Sequence, residues 1–117
     1  MDGPKGRFIT LLCAPCRREL LIFAELQYAK HYDDMHDELV DFIKVRFKNT
    51  ESGHQGDSWI WILDGNDKVQ IDTFTSMKHQ IKSPLRTSKL VRTVIRELES
   101  NYSVNVYPTP ESEAHEE

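Results

Sequence analysis

The 117-residue chain has only two cysteines, too few to staple a small secreted scaffold. It has no apolar run near the roughly 20 residues that cross a bilayer, so no membrane partner is expected. It also lacks an excess of positive charge. The formal net charge is −4, which argues against a whole-surface attraction to nucleic acid or anionic lipid. The start, Met1-Asp2-Gly3-Pro4-Lys5-Gly6-Arg7, leads into a very short apolar stretch, so no secretory signal is expected. A reducing cytoplasm is the expected compartment. What remains is the balance of a globular protein, with 38% hydrophobic and 29% charged residues. The length suits one domain with one core.

Hydropathy patterning suggests the elements. Arg7 to Leu12 is short, apolar and β-prone, and ends at Cys13-Ala14-Pro15-Cys16. From Arg17 to about Tyr32, Leu20, Ala24, Gln27, Tyr28 and His31 fall at helical spacing. The run Leu20 to Ala24 can also be read as a second strand, which would make Cys13 to Cys16 a hairpin loop. Asp33, Asp34, Asp37 and Glu38 read as a solvated helix end or turn, and Asp41 to Lys48 alternates like a strand. Asn49 to Asp57 reads as a polar loop.

Ser58 to Leu63 and Lys68 to Phe74 form a hairpin pattern around Asp64-Gly65-Asn66-Asp67. Trp59 and Trp61 would share one face, with the second helix as their expected cover. Thr87 or Ser88 can cap that helix, whose stripe is Leu90, Val91, Val94, Ile95 and Leu98. Ser103 to Tyr107 reads as a short last strand. The expectation is one α+β domain over residues 1–107 in the order β-α-β-β-β-α-β, with two helices on a mixed sheet. Residues 108–117 read as an acidic, mobile tail.

Cys13 and Cys16 are the sharpest chemical lead. If a helix begins at this pair, its unpaired N–H groups and dipole would stabilise a thiolate on Cys13, assisted by Arg17 and Arg18. Cys16, one turn on, could resolve a mixed disulfide. Cys13-Ala14-Pro15-Cys16-Arg17-Arg18-Glu19-Leu20 resembles the active-site segment of thioredoxin-like proteins, in particular the TlpA-type reductases. The expected element order is similar to that of their SelW/Rdx branch. The resemblance implies thiol–disulfide exchange, with Cys13 attacking, Cys16 resolving and a redox protein as partner. Two features depart from it: Gly56-Asp57-Ser58-Trp59 has no proline before its strand, and Leu12 rather than an aromatic precedes Cys13. The pair can equally be two small apolar residues at a strand end.

The acidic group supports a different class. Asp33, Asp34, Asp37 and Glu38 could meet a basic partner, as nuclease inhibitors and immunity proteins do by mimicking their substrate's charge. That reading implies a basic toxin or enzyme as partner and no catalytic residue. Lys78, His79, Lys82, Arg86, Lys89, Arg92 and Arg96 make a basic stretch without the aromatics of single-strand binders. Nucleic acid is therefore not the expected partner. His31, His36, His54 and His79 show no recurring ligand spacing, and a zinc site needs about four ligands, so no metal is expected. Neither reading needs a cofactor.

Overall fold

The computed structural model describes residues 20–112 apart from Thr75, and the Gln55 side chain is also left undescribed. Along that stretch the elements are β1 (Leu21–Gln27), α1 (Tyr32–Arg46), β2 (Thr50–Gln55), β3 (Asp57–Asp64), β4 (Asp67–Asp72), β5 (Gln80–Ser83), α2 (Lys89–Glu99) and β6 (Ser103–Ser112). The strands form one six-stranded sheet in the order β2-β3-β4-β5-β1-β6. Every pairing is antiparallel, where the sequence suggested a mixed sheet. The class is α+β as expected; the element order is not.

The largest correction is at β1. Residues 21–27 form a strand, where Arg17 to Tyr32 had suggested a helix. β1 lies between β5 and β6 and carries apolar side chains on both faces. Such a run is continuous rather than alternating and fits either period. The alternative strand at Leu20 to Ala24 is the one that matches here.

α1 takes in the acidic residues, read as a helix end or turn, and Asp41 to Arg46 of the stretch Asp41 to Lys48 that was read as a strand. Met35, Leu39, Phe42 and Ile43 are buried at the i, i+4, i+7, i+8 spacing of an amphipathic helix. Val45, which a strand would turn inward, is 81% exposed. The helix begins at His31, whose Nδ1 accepts from the Asp33 amide at 3.1 Å. Histidine is outside the usual Ser, Thr, Asp and Asn cap set, which hid the start. Asp33 and Asp34 at one end and Lys44 and Arg46 at the other complement the helix dipole.

The polar stretch 49–57 is not a loop. It forms the edge strand β2 and turns into β3 at Gly56, where φ is 83° and glycine is favoured. The β3–β4 hairpin turns at Gly65, with φ 62°, where the sequence placed it. β5, Gln-Ile-Lys-Ser, was not foreseen, although all of its residues are buried. α2 starts at Ser88, whose hydroxyl accepts from the Val91 amide at 3.1 Å, and buries Leu90, Val91, Val94 and Leu98. β6 continues past Tyr107 to Ser112, into the stretch read as the start of a tail.

Both helices cover the same sheet face. There Leu26, Ile60, Ile62, Val69, Ile71 and Ile81 join Met35, Leu39, Val94 and Leu98 in one core. Full burial of each such side chain contributes roughly 1.5–3 kcal/mol. α1 packs on β2 and β3, and α2 on β4, β5 and β6. Arg46 Nε and Glu97 Oε1 join the helices at 3.2 Å.

Trp59 and Trp61 therefore lie opposite the helices, so α2 does not cover them. Their ring centroids are 4.7 Å apart, and Lys68 Nζ sits 3.8 Å from the Trp61 ring. Gly53 on β2 makes room for Trp59, since a Cβ there would fall 2.4 Å from the indole.

Candidate functional site

A polar seam runs beneath the N-terminal half of α1. Tyr28 follows β1, His79 precedes β5, Ser58 lies on β3 and His36 projects from α1. The Tyr28 hydroxyl is 2.7 Å from His79 Nδ1, and His79 Nε2 is 2.7 Å from Ser58 Oγ. Ser58 Oγ is in turn 2.5 Å from His36 Nδ1. Backbone bonds hold the chain in place. The His79 amide donates to the Tyr28 hydroxyl at 3.1 Å, and the Ser58 amide donates to Thr73 Oγ1 at 3.1 Å.

Protonation follows from burial. Ser58 and His79 have no exposed surface. Desolvation, with lesser contributions from His36 and His54, pulls the His79 pKa down to about 4. Burial and the nearby His54 lower that of His36 as well. Burial pushes the Tyr28 hydroxyl up to about 12. At neutral pH each imidazole therefore has one donor and one acceptor nitrogen. The Tyr28 hydroxyl accepts from the His79 amide and keeps its own proton, so one consistent set of donors runs from Tyr28 to His79, from His79 to Ser58 and from Ser58 to His36.

His54 on β2 lies against His36, with ring centroids 4.6 Å apart, and its Nε2 is 2.7 Å from Asp33 Oδ1. Tyr32 donates to the Gly56 carbonyl at 3.0 Å. The start of α1 is thus tied to the β2–β3 turn. Sequence reasoning missed this seam, because its members come from four places in the chain and share no spacing. A serine between imidazoles contains the parts of a nucleophile and base. Here the hydroxyl is sealed from solvent, and the seam ties the start of α1 to the sheet. Among the described residues, no group of three His, Cys, Asp or Glu side chains is placed to hold a metal ion.

The predicted acidic residues divide. Asp33 is held by His54, and Glu38 binds Lys30 Nζ at 2.8 Å and the Tyr102 hydroxyl at 3.0 Å. Those two bonds hold the Glu38 pKa below its ordinary value. Asp34 and Asp37 are exposed, and their carboxylates make no hydrogen bond or ion pair among the described residues. Asp41 is exposed one turn further on, completing an i, i+3, i+7 stripe on the outside of α1.

The basic stretch divides too. Lys78 donates to the Tyr28 carbonyl, His79 belongs to the seam, and Lys82 is fully buried against Asp72 at 2.6 Å. Lys78 is half-buried, and Arg86, Lys89, Arg92 and Arg96 are exposed, on α2 and the turn before it. Cys13 and Cys16 lie outside the described residues. The residues that were to form the helix after them are strand from Leu21, and the first helix among the described residues starts at Tyr32. No described helix is long and apolar enough to cross a membrane. No protein-family model matches the chain, and comparison with curated proteins and with solved structures gives no match.

Proposed function

We propose that this chain is a non-catalytic binding module that presents the outer face of α1 to a basic protein, in the manner of an inhibitor or immunity protein. One observation carries the reading: Asp34, Asp37 and Asp41 form an exposed acidic stripe whose carboxylates are unpaired among the described residues, on a helix fixed from beneath. Met35, Leu39, Phe42 and Ile43 anchor the opposite side of that helix, and the His36–Ser58 bond secures its start. A pre-positioned carboxylate row steers a cationic partner and gives an association rate that falls with salt. The test is affinity capture with the wild-type chain and with Asp34→Lys/Asp37→Lys/Asp41→Lys, followed by binding kinetics on the captured protein. A basic protein that binds the wild type and not the triple variant supports the reading. Equal capture by both would overturn it.

A second reading, thiol–disulfide exchange, rests on the Cys13-Ala14-Pro15-Cys16 spacing. Replacing both cysteines with serine separates the two readings. A binding module keeps its partner, and an exchange protein loses all reductase activity.

A further inference from the structure

β1 and β6 lose register at the same place. Ile22 pairs with Glu111 and Ala24 with Val106, leaving Phe23 opposite the Tyr107-Pro108-Thr109-Pro110 stretch. The β1–β5 pairing shifts at the same residue, between Ile22 and Ala24. The prolines account for part of this, since neither can donate to a sheet ladder. Bulges of this kind re-aim side chains and are over-represented beside functional sites.

Here the displaced segment walls a groove of about 380 Å³ between β1, β6 and α2. Phe23, Val91, Ile95, Val106 and Pro110 supply its apolar surface. The charged side chains lining it are Arg86 and Arg92, both exposed and with no hydrogen bond or ion pair among the described residues. Among the described residues no carboxylate lines it. That volume lies within the range of small-molecule sites, which are mostly apolar with a few placed polar groups. A guanidinium matches a carboxylate in shape and charge, through two parallel N–H···O bonds.

We propose that this groove binds a small amphipathic carboxylate, with its hydrocarbon on Phe23, Val91, Ile95 and Val106 and its carboxylate on Arg86 and Arg92. The site is on the opposite helix from the acidic stripe and does not depend on the binding-module reading.

The test uses decanoate below its micelle concentration and decanol as the uncharged counterpart, followed by methyl NMR on the full chain. The expected result is saturable shifts at Val91, Ile95 and Val106 with decanoate, and affinity for decanol at least about tenfold weaker, the size of one charge-assisted hydrogen bond. Arg86→Gln/Arg92→Gln changes only exposed side chains; it should weaken decanoate by about tenfold or more while leaving decanol unchanged. Ile95→Trp should fill the groove and abolish both shifts. Equal affinity for the two probes, undiminished decanoate binding by the arginine double variant, or shifts confined to other parts of the chain would each overturn the proposal. If Ile95→Trp disturbs folding, the arginine variant alone decides.

Discussion

α1 and α2 lie side by side on one sheet face and bury comparable leucines, yet they are attached by different chemistry. α2 rests on hydrocarbon and is secured at its start by Ser88 and by Asp67, whose carboxylate accepts from the Ser88 hydroxyl and the Leu90 amide. α1 rests on hydrocarbon over its later turns and on the Tyr28–His79–Ser58–His36 seam over its first turns. Their outer faces differ as well: Asp34, Asp37 and Asp41 on α1, and Lys89, Arg92 and Arg96 on α2. The contrast sets a neutral histidine seam beside apolar packing as two ways of seating a helix, and the two should differ in their dependence on pH.

The largest expected effect should not distinguish the helices. Leu39→Ala under α1 and Leu98→Ala under α2 both delete fully buried side chains, and each should lower stability by about 2–5 kcal/mol at neutral pH in denaturant melts. Acid should separate the seam from the hydrocarbon. The folded pKa of His79, about 4, lies below the unfolded value of 6.5, so the unfolded chain binds more protons between them. Its contribution is therefore complete above pH 6.5 and is lost as pH falls towards 4, roughly 3 kcal/mol in all. The lowered His36 acts in the same direction. A pH series of melts on wild type and His79→Gln checks this, with the variant expected to show a shallower acid slope.

Ser58→Ala removes the hydroxyl that joins two imidazoles and should cost about 1–3 kcal/mol through the unsatisfied groups it leaves. It should not change the packing of α2. Asp67→Ala is the counterpart at α2, and loss of its bonds to the Ser88 hydroxyl and the Leu90 amide should cost about 1 kcal/mol. The smallest effect belongs to the stripe. Asp37→Lys and Asp41→Lys should each move stability by less than about 0.5 kcal/mol, because their carboxylates make no hydrogen bond or ion pair among the described residues. Asp34→Lys should move it by about 0.3–1 kcal/mol, because it reverses a charge that complements the helix dipole.

The same contrast explains what the sequence revealed. α2 was legible because its cap is a serine and its buried residues keep one stripe, and the β3–β4 hairpin because Asp64-Gly65-Asn66-Asp67 announces its turn. α1 was not, since a histidine caps it and Phe42, Ile43, Val45 and Phe47 mimic alternation over its second half. β1 is apolar on both faces, and β2 and β5 are polar strands identified only by their neighbours. Of the candidate sites, the acidic residues were visible, but which of them are free depended on Lys30, His54 and Tyr102, all distant in sequence from at least one partner. The seam and the groove arise from long-range pairing, and no local pattern encodes that.

The central claim is that the stripe outside α1, and not the seam beneath it, meets the partner. The most direct measurement is the association rate of the captured basic protein across a range of salt, for wild type, for Asp34→Lys/Asp37→Lys/Asp41→Lys and for Ser58→Ala under conditions where each is folded. The account predicts a rate that falls steeply with salt for wild type and Ser58→Ala, and a slow rate without that fall for the triple variant. An unchanged rate and salt dependence in the triple variant would contradict it.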